Sequence, residues 1–90
     1  PKSRLQEWTQ GQFELLPRYK LIDQVGPDHA KTFMFQVTIR DKRLGVGEGA
    51  SKQEATLAAA AMALYCLGLP APEYVPNPEL EERFPIDSLE

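Results

Sequence analysis

Ser51, Lys52, Gln53 and Glu54, which lead into the alanine run of residues 58–61, have the types and spacing of a helix start built to meet an anion. Ser51 suits the N-cap and Glu54 stands at the third helical position, the S-x-x-E capping box. The first turn of such a helix leaves backbone N–H groups free, and its dipole favours a phosphate or carboxylate beside them. Lys52 adds a mobile positive charge at the same place. Two further polar sets accompany it. Lys2, Ser3, Gln6, Glu7 and Gln10 form the wet side of a candidate first helix, and Pro27, Asp28, His29 and Lys31 fall in a turn. Together these residue types suit hydrogen bonds to sugar hydroxyls and charge pairing with phosphates.

Catalytic readings fail at the residue level, and no catalytic or metal-ligating residue is assigned. His29 is the only histidine and Cys66 the only cysteine, so neither residue type can supply a metal cluster. Ser51 has no base partner legible in the chain. Gly45-x-Gly47-x-Gly49 lacks the spacing of a dinucleotide-binding turn, and Ser51-Lys52 reverses the order of a P-loop. The acids before residue 70 are scattered, with no pair placed for Mg²⁺.

The elements that must position these residues read as α-β-β-β-α. Residues 1–12 are an amphipathic helix with Leu5 and Trp8 inward, begun either by Pro1 at the first helical position or by a Ser3/Gln6 capping box. Gly11 and Pro17 mark its end. Residues 18–25 form a first strand. Phe33, Phe35, Val37 and Ile39 alternate with polar neighbours to bury one face of a second strand. Asp41-Lys42 turns into a third strand, 43–49, whose glycines let a neighbouring helix come close. A second long helix covers residues 51–68, with Ala55, Ala59, Met62 and Cys66 as its inward stripe and Gly68 and Pro70 as its stop. The expected fold is α+β: a three-stranded antiparallel sheet with both helices packed on one face.

A chain of 90 residues suits one small domain. We divide it into a folded domain, 1–69, and an acidic, Pro-rich tail, 70–90. The net charge of −3 hides an asymmetry, since residues 70–90 hold six acids and one base while residues 1–69 hold nine bases and seven acids. The tail is expected to be a solvated extension, with one short helix capped by Asn77, started by Pro78 and carrying Leu80 and Phe84 on one side. No apolar run approaches the roughly 20 residues that span a bilayer, so no membrane partner is expected. The single cysteine, read as a small buried thiol, points to a reducing compartment: inside the cell, the cytoplasm first, with nucleus and organelle left open. A start without Met suggests a piece of a longer protein.

Lys2-Ser3-Arg4-Leu5-Gln6-Glu7-Trp8, Leu16-Pro17-Arg18-Tyr19, Gly26-Pro27-Asp28-His29-Ala30-Lys31 and Gly47-Glu48-Gly49-Ala50-Ser51-Lys52-Gln53-Glu54-Ala55 resemble, in this order, a double-stranded-RNA-binding domain. The likeness is greatest to the C-terminal domain of ribonuclease III enzymes, bacterial or Drosha-like, and covers residues 1–68. It implies recognition of A-form duplex by shape over about 16 bp, through two minor grooves and the phosphates between them. By this resemblance Ser3, Gln6 and Glu7 read one minor groove, Pro27, Asp28 and His29 enter the next, Lys31 assists, and Ser51, Lys52 and Gln53 bridge the phosphates. It implies RNA processing with the nuclease on an attached or partner domain, where alone Mg²⁺ is expected; this chain itself is expected to need no cofactor. The alternatives are the same fold used for protein–protein contact or dimerisation, or as a structural ribosomal domain. Relatives usually open the second helix with two lysines and add another base nearby; here those places hold Gln53 and Thr56, which lowers the expected affinity.

Overall fold

A computed structural model describes residues 1–89; Glu90, counted above among the tail's acids, lies outside the described residues. The order is α1 (Lys2–Phe13), β1 (Arg18–Val25), β2 (Thr32–Ile39), β3 (Lys42–Gly49), α2 (Lys52–Cys66) and α3 (Pro78–Arg83). The strands form one antiparallel sheet in the order β1-β2-β3. The α+β fold is as expected, with α1 and α2 on one face of the sheet.

Glycine decides how close α2 lies. A methyl group at Gly45 would overlap the Ala59 carbonyl, and one at Gly47 would overlap the Ala59 amide and the Ala55 carbonyl. Alanine on the helix and glycine on the strand therefore bring two backbones together. The main core joins Leu5 of α1, Val37 and Ile39 of β2, Leu44 of β3, and Ala59, Ala60, Ala63 and Leu64 of α2. Helix α2 ends as expected at Gly68, which takes φ +75°. The Leu69 N–H reaches the Leu64 carbonyl at 2.9 Å and the Gly68 N–H the Tyr65 carbonyl at 3.0 Å, satisfying the last open carbonyls.

Several local expectations are corrected. Helix α1 runs through Gly11 to Phe13 and stops at Glu14, whose φ is 57°. Pro1 is its cap and no side chain serves there; the Pro1 carbonyl already accepts the Leu5 N–H at 3.0 Å. The β2–β3 turn centres on Arg40 and Asp41, both at positive φ, so that Lys42 already belongs to β3. Cys66 is exposed rather than part of the inward stripe, whose other members Ala55, Ala59 and Met62 are buried. On β2, Val37 and Ile39 are buried, Phe33 and Phe35 only half-buried, and Met34 on the opposite face is buried too.

Met34 is buried because residues 70–89 are not a solvated extension. Phe35 pairs with Gly47 on the α2 side, so the pair Met34 and Glu48 faces away from it. Onto that other face comes the C-terminal segment. Asn77 Nδ2 donates to Glu48 Oε1 at 2.8 Å, and Arg83 donates to Asp23 Oδ2 at 2.7 Å. Arg43 reaches the Pro85 carbonyl at 3.1 Å, while its N–H donates to Asp87. Leu80 is buried with Met34, Val46 and Met62, flanked by Ile22, Tyr74, Phe84 and Ile86. Asn77 caps α3 and Pro78 opens it, as the sequence predicts. The segment is a strap around the sheet. It also holds α1, through Arg4 to the Glu73 carboxylate at 2.6 and 2.8 Å and to the Pro70 carbonyl.

Candidate nucleic-acid interface

The three polar sets take their places from the sheet. The hairpin between β1 and β2 leaves from the Val25–Thr32 pair, and β3 ends at Gly49 opposite Phe33. The turn bearing Pro27, Asp28 and His29 and the start of α2 therefore share one end of the sheet. Helix α1 crosses the opposite end: Lys2 lies over the Tyr19 ring at 4.5 Å, and Phe13 lies under Arg40 at 5.1 Å. Eight-residue strands at about 3.3 Å per residue separate the ends by roughly 26 Å. That is a scale suited to successive grooves of a duplex.

On α1, Ser3, Gln6, Glu7 and Gln10 line one shallow depression on the exposed side. Helical spacing at i, i+3, i+4 and i+7 places them together. Gln10 belongs with the three residues assigned from sequence; its position one further turn along is the signal that finds it. Leu5 and Thr9, fully buried, fix the rotation of the helix. Trp8 is half-buried and meets Phe13 edge-on at 5.7 Å, a packing residue rather than a platform for bases.

The turn is exposed from Gly26 to Ala30. It closes through the Ala30 N–H to the Pro27 carbonyl at 2.9 Å, with Gly26 at φ +95° beneath. A side chain at Gly26 would meet the Ala30 carbonyl, so glycine permits the tight return. His29 projects from a rigid turn into solvent. Lys31 sits 3.4 Å from Asp28, which spends part of its charge locally.

At the start of α2, Ser51 Oγ accepts the Glu54 N–H at 3.1 Å, as the capping box requires. The Glu54 carboxylate takes the Ala50 N–H at 3.0 Å, one residue earlier than the usual box. Glu54 is thus a cap. The Ser51 hydroxyl keeps its proton to donate, and the amides of Lys52 and Gln53, in the first turn, face no carbonyl inside the helix. Lys52 and Gln53 are exposed, and among the described residues no carboxylate pairs with Lys52. Thr56, where the family resemblance leads one to expect another base, is buried and bonds back to the Gln53 carbonyl at 3.0 Å. It presents nothing outward. Neither Arg43 nor Lys20 makes up for it, since Arg43 is held by Gln36 and the strap, and Lys20, paired with Gln36, lies on the sheet face away from α2.

The structure thus leaves the residues assigned from sequence exposed, apart from the half-buried Lys31 and Ser51, in three sets on two ends of one sheet. Residues 1–65 match the family described as "Double-stranded RNA binding motif". Among curated proteins, the chain is similar to Ribonuclease 3 of Dehalococcoides mccartyi, 52% identical over 63 residues, covering 70% of this chain and 27% of that protein. It is 45% identical over 69 residues to Ribonuclease 3 of Protochlamydia amoebophila, covering 77% and 28%. It is 47% identical over 60 residues to Ribonuclease 3 of Caulobacter vibrioides, covering 67% and 26%. The chain therefore spans little more than a quarter of the length of these relatives.

Proposed function

Because this chain belongs to the double-stranded-RNA-binding family, we propose that it serves as a duplex-RNA anchor whose three exposed polar sets make the contacts. Ser3, Gln6, Glu7 and Gln10 meet one minor groove, and Pro27, Asp28 and His29 the next, with Lys31 beside them. Ser51, Lys52, Gln53 and the open amides of α2 clasp the phosphates between. The hydroxyls, amides and carboxylate of α1 match 2′-hydroxyls, which donate and accept, so the preference is for RNA over DNA and for shape over sequence. The observation that carries this reading is the start of α2: a capped helix terminus, an unpaired lysine and a free hydroxyl at the end of the sheet shared with the His29 turn.

The name Ribonuclease 3 borne by the relatives supports placing the module in a ribonuclease III-type protein. There it would raise the local concentration of duplex near a nuclease domain elsewhere, which makes the cut and alone needs Mg²⁺. With one lysine at the clasp, binding by the module itself is modest. Lys52→Glu tests the reading in a titration of duplex RNA at two salt concentrations. Affinity falls roughly tenfold and the salt dependence becomes shallower by about one unit of log–log slope. Unchanged affinity and slope would overturn it.

A further inference from the structure

Three of the cations left over by the duplex interface and by the strap gather at one place. Arg4 is held by Glu73, Lys31 by Asp28, Arg83 by Asp23, and Arg43 by Gln36 and the Pro85 carbonyl. Lys52 stands at the start of α2. The remaining bases are Lys2, Arg18, Lys20, Arg40 and Lys42, none in an ion pair among the described residues. Lys2, Arg40 and Lys42 lie on the helix side at the end of the sheet crossed by α1, whereas Arg18 and Lys20 alternate with the inward Tyr19 and face away from the helices. Arg18 opens β1 opposite Thr38, Arg40 is in the β2–β3 turn, and Lys42 pairs with Ile39. Two are held over rings, Lys2 on Tyr19 and Arg40 on Phe13, and so are partly ordered before any ligand arrives. The acids in the same segments are Glu14 and Asp41, so the positive charge is in excess.

We propose that this basic end is a second phosphate-binding surface, which engages the backbone of an RNA duplex where it continues past the minor groove met by α1. The proposal rests on the duplex-binding reading above and extends it. The position argues for continuation of the same duplex. The His29 turn and the Lys52 clasp lie at the other end of the sheet, and α1 crosses the basic end itself. A duplex that lies along the three sets and continues past α1 therefore runs out over Arg40 and Lys42. This surface supplies the charge that the start of α2 lacks, and it responds to duplex length as the clasp does not.

The test is a titration of the chain carrying Arg40→Gln and Lys42→Gln together, against duplexes of about 16 bp and about 30 bp. On the longer duplex, affinity at low salt falls roughly tenfold and the salt slope becomes shallower by about two. On the shorter duplex it changes less than about twofold, since a footprint of about 16 bp ends at α1. Equal losses on both lengths, or no loss on either, overturn the proposal. Lys52→Glu is measured alongside. If it weakens binding while the double substitution does not, only this surface falls; if neither matters, the duplex reading itself falls.

Discussion

At the scale of single residues, Cys66 shows how partial burial and a neighbouring charge together set a reactivity. Its thiol is exposed at the end of α2, yet its pKa is raised, first by the partial burial of the sulfur and then by the nearby Glu81 carboxylate. A raised pKa leaves less thiolate at neutral pH, and the thiolate is the nucleophile. Alkylation of Cys66 should therefore be slower than that of a free cysteine at pH 7.5, and Glu81→Gln should speed it. Equal rates in the parent and the Glu81→Gln chain would contradict this account. The sequence alone reads Cys66 as buried, because alanine-rich spacing carries the inward stripe one turn too far. By contrast, Ser51 and Glu54 were legible as caps, since the pairing is local in the chain. The holding of Arg4 by Glu73 and of Arg43 by the strap was not legible, because those partners lie more than forty residues apart in the chain.

Glycine carries opposite meanings in different elements. Gly11 lies inside α1 with nothing within 4 Å of where a Cβ would stand. Gly11→Ala should then raise stability by about 0.5–1 kcal/mol through the reduced entropy of the unfolded chain. Gly47 lies against the backbone of α2, where a methyl has no room unless helix and strand part. Gly47→Ala should cost about 1–3 kcal/mol or more, the usual range for overpacking a well-filled core. Urea denaturation of the two variants checks both signs at once, and a gain at Gly47 would refute the close approach of α2 and β3. The strand pattern announced this contact through three glycines spaced by two. The end of α1 escaped a local reading, because a helix packed through Leu5 and Thr9 overrides the weak propensity of one glycine.

The strap acts on the molecule as a whole, since it joins α1, both faces of the sheet and α2. Its ion pairs give a pH dependence. Asp23 is held below the usual carboxylate range by the Arg83 guanidinium first and the Gln24 amide second, and Glu73 by its own backbone amide and then by Arg4. For carboxyls lowered in the folded state, the stabilisation is present above their unfolded pKa, about 4, and is lost as pH falls through the folded values. Thermal stability should drop as pH is lowered below about 4, and the combined change Asp23→Asn and Glu73→Gln should flatten that drop. An identical acid profile in the two chains would show that these pairs play no part. The sequence disclosed α3 and its cap but not its seat, because proline and acid content describe solubility while Leu80, Phe84 and Ile86 decide burial.

Order of synthesis gives the strap a further consequence. Residues 1–69 hold every member of the cluster beneath α1, apart from the flanking Ala71 and Leu89, so that cluster can assemble as soon as α2 has emerged from the ribosome. Met34 and Val46 remain uncovered until Leu80 follows. For that interval the nascent domain shows a greasy patch on the sheet face turned away from α2. Chaperones that survey growing chains would meet it there, and the emergence of residues 70–89 closes it.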